Sequence, residues 1–394
     1  MIGQHFENKK AFLQKLVWFI IHPFSAAIHS LFNIHNKASR VFLYLWFVLF
    51  GLAFTPKNPN ADSFRYAENF VVQSQYSDFD YKVLIQSIYD RTESREMDVY
   101  TLSVNHFIGK ITKNYHIVTM FYAIIFGLFY ILCLSFYARY KIPDNEWFLV
   151  IIFLVCFSNP IFNINGVRFW TASWIAVFII FKVFVEADKR YIPLSFLTIL
   201  IHGSFGLFIG LLFIGLFLKG SEKLWLIFFF ISFFFSLPIQ TFGIEDYLPL
   251  IVKNKIDFYA EKEMANLPTY ALVLNYLPRL YSYILLIILC LKTRPLSQRE
   301  KQIRRFVLFW FCFVNATRSI ASVGVRFYQI IIPILAYLWL IRWHDLKSFK
   351  NLVYMAPLFY SYKILYWIRN MISISEGYVY IAPLPITVWH YLFE

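Results

Sequence analysis

Residues 115–138, "YHIVTMFYAIIFGLFYILCLSFYA", contain no Asp, Glu, Lys or Arg. The run exceeds the roughly 20 residues that a helix needs to cross a bilayer, and similar runs recur along the whole chain. Inside a bilayer a segment must satisfy its own backbone hydrogen bonds, which a helix does. Apolar residues make up 59% of the sequence, more than a soluble core can bury. The sequence therefore predicts an all-α, polytopic transmembrane helical bundle.

The apolar runs predict about 11–13 membrane segments in a single integral membrane domain over residues 1–394. No repeat or low-complexity linker divides the chain. The predicted spans are 16–34, 41–55, 115–138, 147–162, 167–186, 192–204 with 205–218, 224–241, 271–291, 306–318, 327–342, 351–368 and 377–393.

The basic residues predict the orientation of these spans. Lys and Arg cluster in alternate loops, including "KTRPLSQREKQIRR" at 292–305, and such an excess marks the cytoplasmic side. The other set of loops contains two long hydrophilic segments of mixed charge, 56–113 and 242–270. These two segments are expected to face the periplasm or the cell exterior.

Charge and cysteine content exclude several classes of protein. The net charge is +14, but the basic residues lie in short clusters between apolar runs, whereas nucleic-acid binding needs a continuous basic face. His22 and Pro23 interrupt the first apolar run, and no cleavage site follows, so no removed signal peptide is expected. We expect neither a disulfide nor a zinc site, because each cysteine lies alone in an apolar run: Cys133, Cys156, Cys290 and Cys312.

Arg168 opens the apolar span 167–186 at its predicted outer end, after the polar turn "NING". An arginine at a membrane boundary often reaches the lipid headgroups, and that interpretation stays open for Arg168. Other arginines also lie on the outer side, where the positive-inside bias disfavours them: Arg65, Arg279, Arg318, Arg326 and Arg369. The outer span ends hold almost no Asp or Glu, so a phosphate-bearing ligand is the expected partner of these guanidinium groups.

The stretch "FLTILIHGSFGLFIGLLF", residues 196–213, predicts a broken helical hairpin near 192–218. Basic residues stand at both ends, so the chain has to enter the membrane and return, yet the stretch is short for two full spans. We expect two short helices that meet at His202 and Gly203. His202 is then either a packed core histidine or a general base or phosphate contact in an outward cavity.

Asp62, Arg65 and Tyr66 follow the span 41–55 at positions i, i+3 and i+4. On a helix these three side chains share one face. They predict either an exposed loop helix or a helix that contributes to the outer site.

These motifs together resemble the EpsG/Wzy family of bacterial polysaccharide polymerases over residues 41–342. The resemblance rests on the order and spacing of an acidic-tyrosine motif, "GVR", "IHGS" and "VRFYQIIIPIL". It matches Asp62 and Tyr66, Arg168, His202, and Arg326 with Tyr328 to the motifs of the family. The family often has Gln after the middle arginine, where this chain has Phe169.

The resemblance implies a GT-C-like glycosyltransferase of the bacterial inner membrane with its active site facing outward. It joins undecaprenyl-diphosphate-linked oligosaccharide repeat units into O-antigen, capsule or exopolysaccharide. We expect His202 or Asp62 to take the acceptor proton. Together with the outward arginines, the resemblance predicts that the diphosphate and glycan are bound by Arg65, Tyr66, Arg168, Arg279, Arg318, Arg326 and Tyr328. No metal or other cofactor is expected, and no nucleic acid. The partners are the lipid-linked donor and acceptor and membrane lipid, with a chain-length regulator as a possible addition.

Other functions stay open at this point. A ligase of the O-antigen type uses the same outward groups with a different acceptor. A transporter or flippase spreads its polar residues over the full bilayer depth, and a membrane-bound acyltransferase places its histidine toward the cytoplasm. Outer aromatic residues serve either as an interfacial belt or as platforms for sugar rings: Trp170, Trp174, Tyr276 and Tyr281.

Overall fold

The structure, a computed structural model, describes residues 2–57, 62–73, 99–140, 146–234, 269–318, 321–373 and 375–393. Half of the predicted outer loop 56–113, and nearly all of 242–270, lie outside the described residues.

The described chain forms α-helices, joined by short turns. From α1 to α9 they are Ile2–Ile21, Pro23–Phe32, Lys37–Leu52, Asp62–Gln73, Val99–Gly109, Tyr115–Tyr137, Trp147–Phe157, Val167–Ile180 and Ser195–Ile201. From α10 to α18 they are Gly206–Leu216, Glu222–Ser232, Thr269–Lys292, Gln298–Ala316, Ala321–Ile341, Lys350–Phe359, Ser361–Ser373, Tyr378–Ile381 and Leu384–Phe393.

The predicted class is confirmed, because the protein is an all-α helical membrane protein. Among the described residues, three helical stretches are long and apolar enough to cross a membrane: Tyr115–Tyr137, Ile151–Val185 and Val323–Ile341. The predicted first span, 16–34, is two helices, since α1 ends at Ile21 and α2 begins at Pro23. The Nδ1 atom of His22 accepts a hydrogen bond from the Ser25 amide at 3.2 Å and so caps α2.

Hydrogen bonds between distant residues show that α6, α7, α8 and α14 run between two ends of the bundle. The Tyr115 hydroxyl at the start of α6 donates to the Ser63 carbonyl at 3.3 Å, and Arg168 lies near the start of α8. At the other end, the Trp343 indole donates to a carboxylate oxygen of Glu146 at 2.6 Å, just before α7. Glu300 lies at this second end, where it contacts Arg342. The two ends are named the Arg168 end and the Glu300 end.

Two aromatic residues that the sequence placed at the outer rim lie in the core instead. Trp174 is 2% exposed, and its indole donates to the Asn159 carbonyl at 3.1 Å. Tyr281 is fully buried, and its hydroxyl donates to the Leu352 carbonyl. The interpretation as belt or sugar platform is wrong for both residues, because each polar atom is satisfied by a backbone carbonyl inside the bundle.

The close contact between α3 and α6 depends on Gly51. A Cβ atom added there would lie 2.3 Å from the Cβ of Ala123 and 2.8 Å from the Thr119 carbonyl oxygen. Since backbone cannot give way as a flexible side chain does, Gly51→Ala should destabilise the protein by about 1–3 kcal/mol. Gly210 in α10 has no such neighbour within 4 Å, so Gly210→Ala is the matched control and should be neutral or slightly stabilising.

Thermal unfolding of the purified variants in one detergent tests this prediction. The midpoint should fall for Gly51→Ala and should stay or rise for Gly210→Ala. Equal midpoints for Gly51→Ala and the unchanged protein would contradict the close helix contact.

The predicted break near 192–218 is confirmed. α9 ends at Ile201, and His202 has extended backbone angles, φ −155° and ψ 115°. A short turn, Gly203–Phe205, leads into α10. Helix α9 packs against α8, and α10 packs against α13, so the break joins two separate parts of the bundle.

Buried ion pairs connect the helices at the Glu300 end. Arg304 is fully buried. Its guanidinium nitrogens lie 2.8 Å from a carboxylate oxygen of Glu300 and 3.2 Å from one of Glu222. Arg342 is 3% exposed and contacts Glu300 at 2.7 Å and Asp345 at 2.9 Å. Carboxylates on the same and neighbouring segments therefore neutralise both arginines inside the protein.

Cysteine labelling tests the predicted orientation at two equally exposed positions. Ile111 at the Arg168 end is 80% exposed, and Leu296 at the Glu300 end is 81% exposed. In intact spheroplasts, an impermeant maleimide should react with Ile111→Cys, while Leu296→Cys should react only after lysis. The unsubstituted protein is the background control, and labelling of Leu296→Cys before lysis would contradict the orientation.

Candidate functional site

Of the three residues expected to share one face of α4, Tyr66 is buried in the bundle, whereas Arg65 is exposed. The Arg65 guanidinium pairs with the Asp62 carboxylate. Tyr66 is 8% exposed, and its ring centroid lies 5.0 Å from the Arg168 guanidinium carbon, at cation–π distance. Burial raises the pKa of the Tyr66 phenol to about 12, although the positive charge of Arg168 opposes this. Tyr66 therefore stays a neutral phenol that steadies the guanidinium.

The turn "NING" places Arg168 at the start of α8. Residues Ile161–Gly166 form a 3-10 helix, and α8 begins at Val167. Arg168 is consequently in the first helical turn, where backbone N–H groups without intrahelical partners favour an anion. The positive helix end and the guanidinium act in the same direction on a negatively charged ligand.

Phe169 joins three of the sequence motifs. Its ring centroid lies 5.2 Å from the Arg326 guanidinium carbon and 5.4 Å from the His202 ring centroid. The arginine is on α14 and the histidine is at the break between α9 and α10. The aromatic ring at the position where the family often has Gln thus holds Arg326 through its face and the imidazole through an edge contact.

The His202 side chain is held by its own turn. Its Nδ1 atom accepts a hydrogen bond from the Ser204 backbone N–H at 3.3 Å and lies 2.8 Å from the Ser204 hydroxyl. A backbone N–H can only donate, so Nδ1 has to carry the lone pair. In a neutral imidazole with that arrangement, the proton is on Nε2, and His202 presents a hydrogen-bond donor there.

Two other predicted residues form a second, buried group. Arg279 is 6% exposed, and its guanidinium carbon lies 5.4 Å from the Tyr276 ring and 5.7 Å from the Tyr328 ring. The Tyr328 hydroxyl donates to the Pro278 carbonyl at 2.7 Å and lies 2.9 Å from the Tyr360 hydroxyl. The structure joins Tyr328 to Arg279 inside the bundle rather than to Arg168.

Arg318 lies apart from both groups. It is exposed, and its guanidinium donates to the Phe233 carbonyl at 2.9 Å. That carbonyl is at the end of α11, where a cation is favoured by the helix dipole.

A pocket of about 150 Å³ lies beside the turn Ile161–Gly166, which precedes Arg168. Of the predicted site residues only Asp62 lines it, and Trp170, considered above as an aromatic platform, is also there. The remaining lining residues were missed: Asn163, Asn165, Gly166, Tyr366 and Asn370. Two of these amides are in "NING", so the polar residues of that turn were the available signal.

Lys363 on α16 is a further cation that the sequence analysis passed over. It is half-buried, and its ammonium lies 4.7 Å from the Trp367 ring and 5.5 Å from the Tyr360 ring. Both aromatic residues are buried. A lysine inside the predicted span 351–368 was the signal that could have identified it.

Potential metal ligands are dispersed in the described part of the chain. It holds no group of three or more His, Cys, Asp or Glu side chains that could bind a metal ion together. The four cysteines have free thiols, of which Cys133 and Cys156 are buried in the core.

Comparison with known proteins agrees with the motifs. No curated protein and no solved structure matches the chain. The sequence model of the EpsG family matches residues 40–383, which is most of the chain and includes every motif of the site. The chain therefore belongs to the EpsG family, the family of Wzy-type polysaccharide polymerases.

Proposed function

We propose that this protein polymerises undecaprenyl-diphosphate-linked oligosaccharide repeat units on the outer side of the bacterial inner membrane. The product is O-antigen, capsule or exopolysaccharide, and a chain-length regulator protein is a further partner. The observation that supports this most is a pair of contact groups at adjacent residues, in which Arg168 contacts Tyr66 and Phe169 contacts both His202 and Arg326. Tyr66, Arg168, His202 and Arg326 come from separate segments of the chain, and all four side chains are charged or titratable.

The reaction is a glycosyl transfer with diphosphate as the leaving group. A hydroxyl oxygen of the acceptor glycan forms a bond to the anomeric carbon of the donor glycan. The bond from that carbon to the diphosphate oxygen breaks, and undecaprenyl diphosphate leaves with the electron pair. The proton of the acceptor hydroxyl passes to a base on the protein.

Arg168 and Arg326 stabilise the diphosphate as negative charge develops on it. Guanidinium groups that are already held in place by aromatic rings need little reorganisation, so they favour the transition state over the ground state. They supply the positive charge that a divalent cation supplies in other transferases, and the proposed reaction is therefore independent of metal.

Asp62 and His202 divide the remaining roles. The Asp62 carboxylate lines the pocket and accepts the acceptor proton, while Arg65 keeps a positive charge beside it. His202 donates a hydrogen bond from Nε2, because its Nδ1 atom already accepts from the Ser204 amide.

Purified protein in liposomes tests the function directly. Incubated with lipid-linked repeat units alone, it should form a ladder of glycans that differ by one unit, with release of undecaprenyl diphosphate. Addition of a metal chelator should leave the ladder unchanged. Transfer of a single unit to lipid A core without a ladder would indicate a ligase and overturn the proposal.

A further inference from the structure

The pocket beside the turn Ile161–Gly166 differs in chemistry from the surroundings of Arg168 and Arg326 (the arginine group). Its lining has one carboxylate, three amides, two aromatic side chains and Gly166, and no basic side chain. A diphosphate placed there would meet the Asp62 carboxylate and no cation in the lining itself. The pocket therefore suits an uncharged, hydroxyl-rich group better than an anion.

Two of the amides belong to residues that are mostly buried. Asn163 is 7% exposed and Asn370 is 8% exposed. In the part of the chain that the structure describes, only their backbone atoms take part in protein hydrogen bonds. The carbonyl oxygen of the Asn165 side chain is likewise buried and unsatisfied by the described protein. A ligand donor would remove the cost of the unsatisfied Asn165 oxygen, and the Asn163 and Asn370 amides can also bond a ligand in the pocket.

The aromatic side chains add apolar faces. The Trp170 indole is packed against the Phe169 ring, with ring centroids 5.0 Å apart and planes at 89°. A Cβ atom at position 166 would lie 3.2 Å from the indole, so glycine there lets Trp170 fold over the turn. Tyr366 lines the pocket from α16. Amide and carboxylate oxygens beside flat aromatic faces match a pyranose ring, which has hydroxyl groups at its edge and C–H groups on its faces.

The size and position of the pocket limit which ligands it can bind. A water molecule takes about 30 Å³ in the liquid, so a pocket of about 150 Å³ has room for one sugar ring rather than an oligosaccharide. The pocket is lined by the turn at residues 161–166, which directly precedes the helix that carries Arg168. It is also lined by Asp62 on α4, the helix that carries Tyr66. A ring in the pocket therefore lies next to the guanidinium group that holds the diphosphate.

We propose that this pocket binds the terminal, uncharged pyranose of the acceptor glycan, with Asn163, Asn370 and Trp170 as specificity-determining residues. The proposal rests on the proposed function and adds the chemical class of the acceptor sugar. Asp62 then faces an acceptor hydroxyl, and a uronic acid in the same position is repelled by its carboxylate.

Binding of the free repeat-unit oligosaccharide tests the proposal without any need for polymerisation. The probe is the oligosaccharide released by mild acid from the lipid-linked precursor, titrated into purified protein in nanodiscs. Asn163→Leu and Asn370→Leu should each weaken its binding roughly tenfold or more. Trp170→Ala should weaken it similarly, and Trp170→Phe should keep most of the affinity. Ile372→Ala is the control, because Ile372 is 67% exposed on the same helix as Asn370.

Kinetics with lipid-linked substrates separate this pocket from the arginine group. The amide variants should raise the acceptor KM with little change in the donor KM. An acceptor whose terminal sugar is a uronic acid should be used poorly by the unchanged protein. Each variant is first checked by its thermal unfolding midpoint, and the contrast between Trp170→Ala and Trp170→Phe keeps the test valid if a leucine variant misfolds.

The outcomes distinguish this inference from the proposed function. Unchanged oligosaccharide affinity in folded amide variants, together with a normal ladder, contradicts the sugar-binding role of the pocket. The proposed polymerase activity is then retained. Amide-dependent binding without a ladder supports the pocket and overturns the polymerase. An effect on the donor KM alone overturns the assignment to the acceptor.

Discussion

Arg168→Lys and Arg326→Lys should each lower the polymerisation rate roughly a hundredfold or more, which corresponds to about 2–4 kcal/mol of transition-state stabilisation. Lysine keeps the positive charge but has no planar fork, so it contacts one phosphate oxygen where arginine contacts two. The Arg168 guanidinium lies against the Tyr66 ring and the Arg326 guanidinium lies against the Phe169 ring, and a flexible ammonium does not reproduce these contacts.

The ladder assay measures this loss, and Arg299→Lys is the matched control. Arg299 is exposed at the Glu300 end, away from every candidate site residue. Thermal unfolding midpoints near that of the unchanged protein would show that the variants fold. Full activity of either site variant would reduce that arginine to an anchor in the lipid headgroups.

Asp62→Asn should be the most damaging single change if its carboxylate takes the acceptor proton. Removal of a general base costs about 10²–10⁴-fold in rate, and asparagine keeps the size of the side chain without the basic oxygen. His202→Ala should lose roughly a hundredfold, as expected for one preorganised hydrogen-bond donor. His202→Gln should recover part of that loss, because its amide nitrogen can donate in place of Nε2.

The pH dependence separates the two roles of the histidine. A histidine base has to be neutral, so activity would rise as the imidazole loses its proton and then level off. A neutral donor predicts that His202→Gln stays active and has the same pH profile above neutral pH as the unchanged protein. If His202→Gln is inactive and Asp62→Asn is active, His202 is the base and Asp62 is not. If His202→Ala has native activity, the helix break at His202 has only a structural role.

Local pattern was enough for the fold class and for several details. Uncharged runs of bilayer length allow little besides a helix, because lipid offers no partners for backbone polar groups. The break at His202 followed from a stretch too short for two spans, and the shared face of Asp62 and Tyr66 followed from helical spacing.

Long-range packing decided which of these groups meet. Arg168 and Arg279 looked equivalent in sequence, yet one lies beside Tyr66 and the other is buried against Tyr328. Spacing along one helix says nothing about the face of another helix that it will meet.

The sequence by itself determined that the chain is helical and membrane-embedded. Only the tertiary structure decided that Trp174 and Tyr281 are core residues, that Arg304 and Arg342 are neutralised by Glu300, and that Asn163 and Asn370 line one pocket. The physical reason is that hydrophobicity and helix formation depend on neighbours within a turn or two. The burial of a polar side chain depends on partners supplied by helices that are far away in the chain.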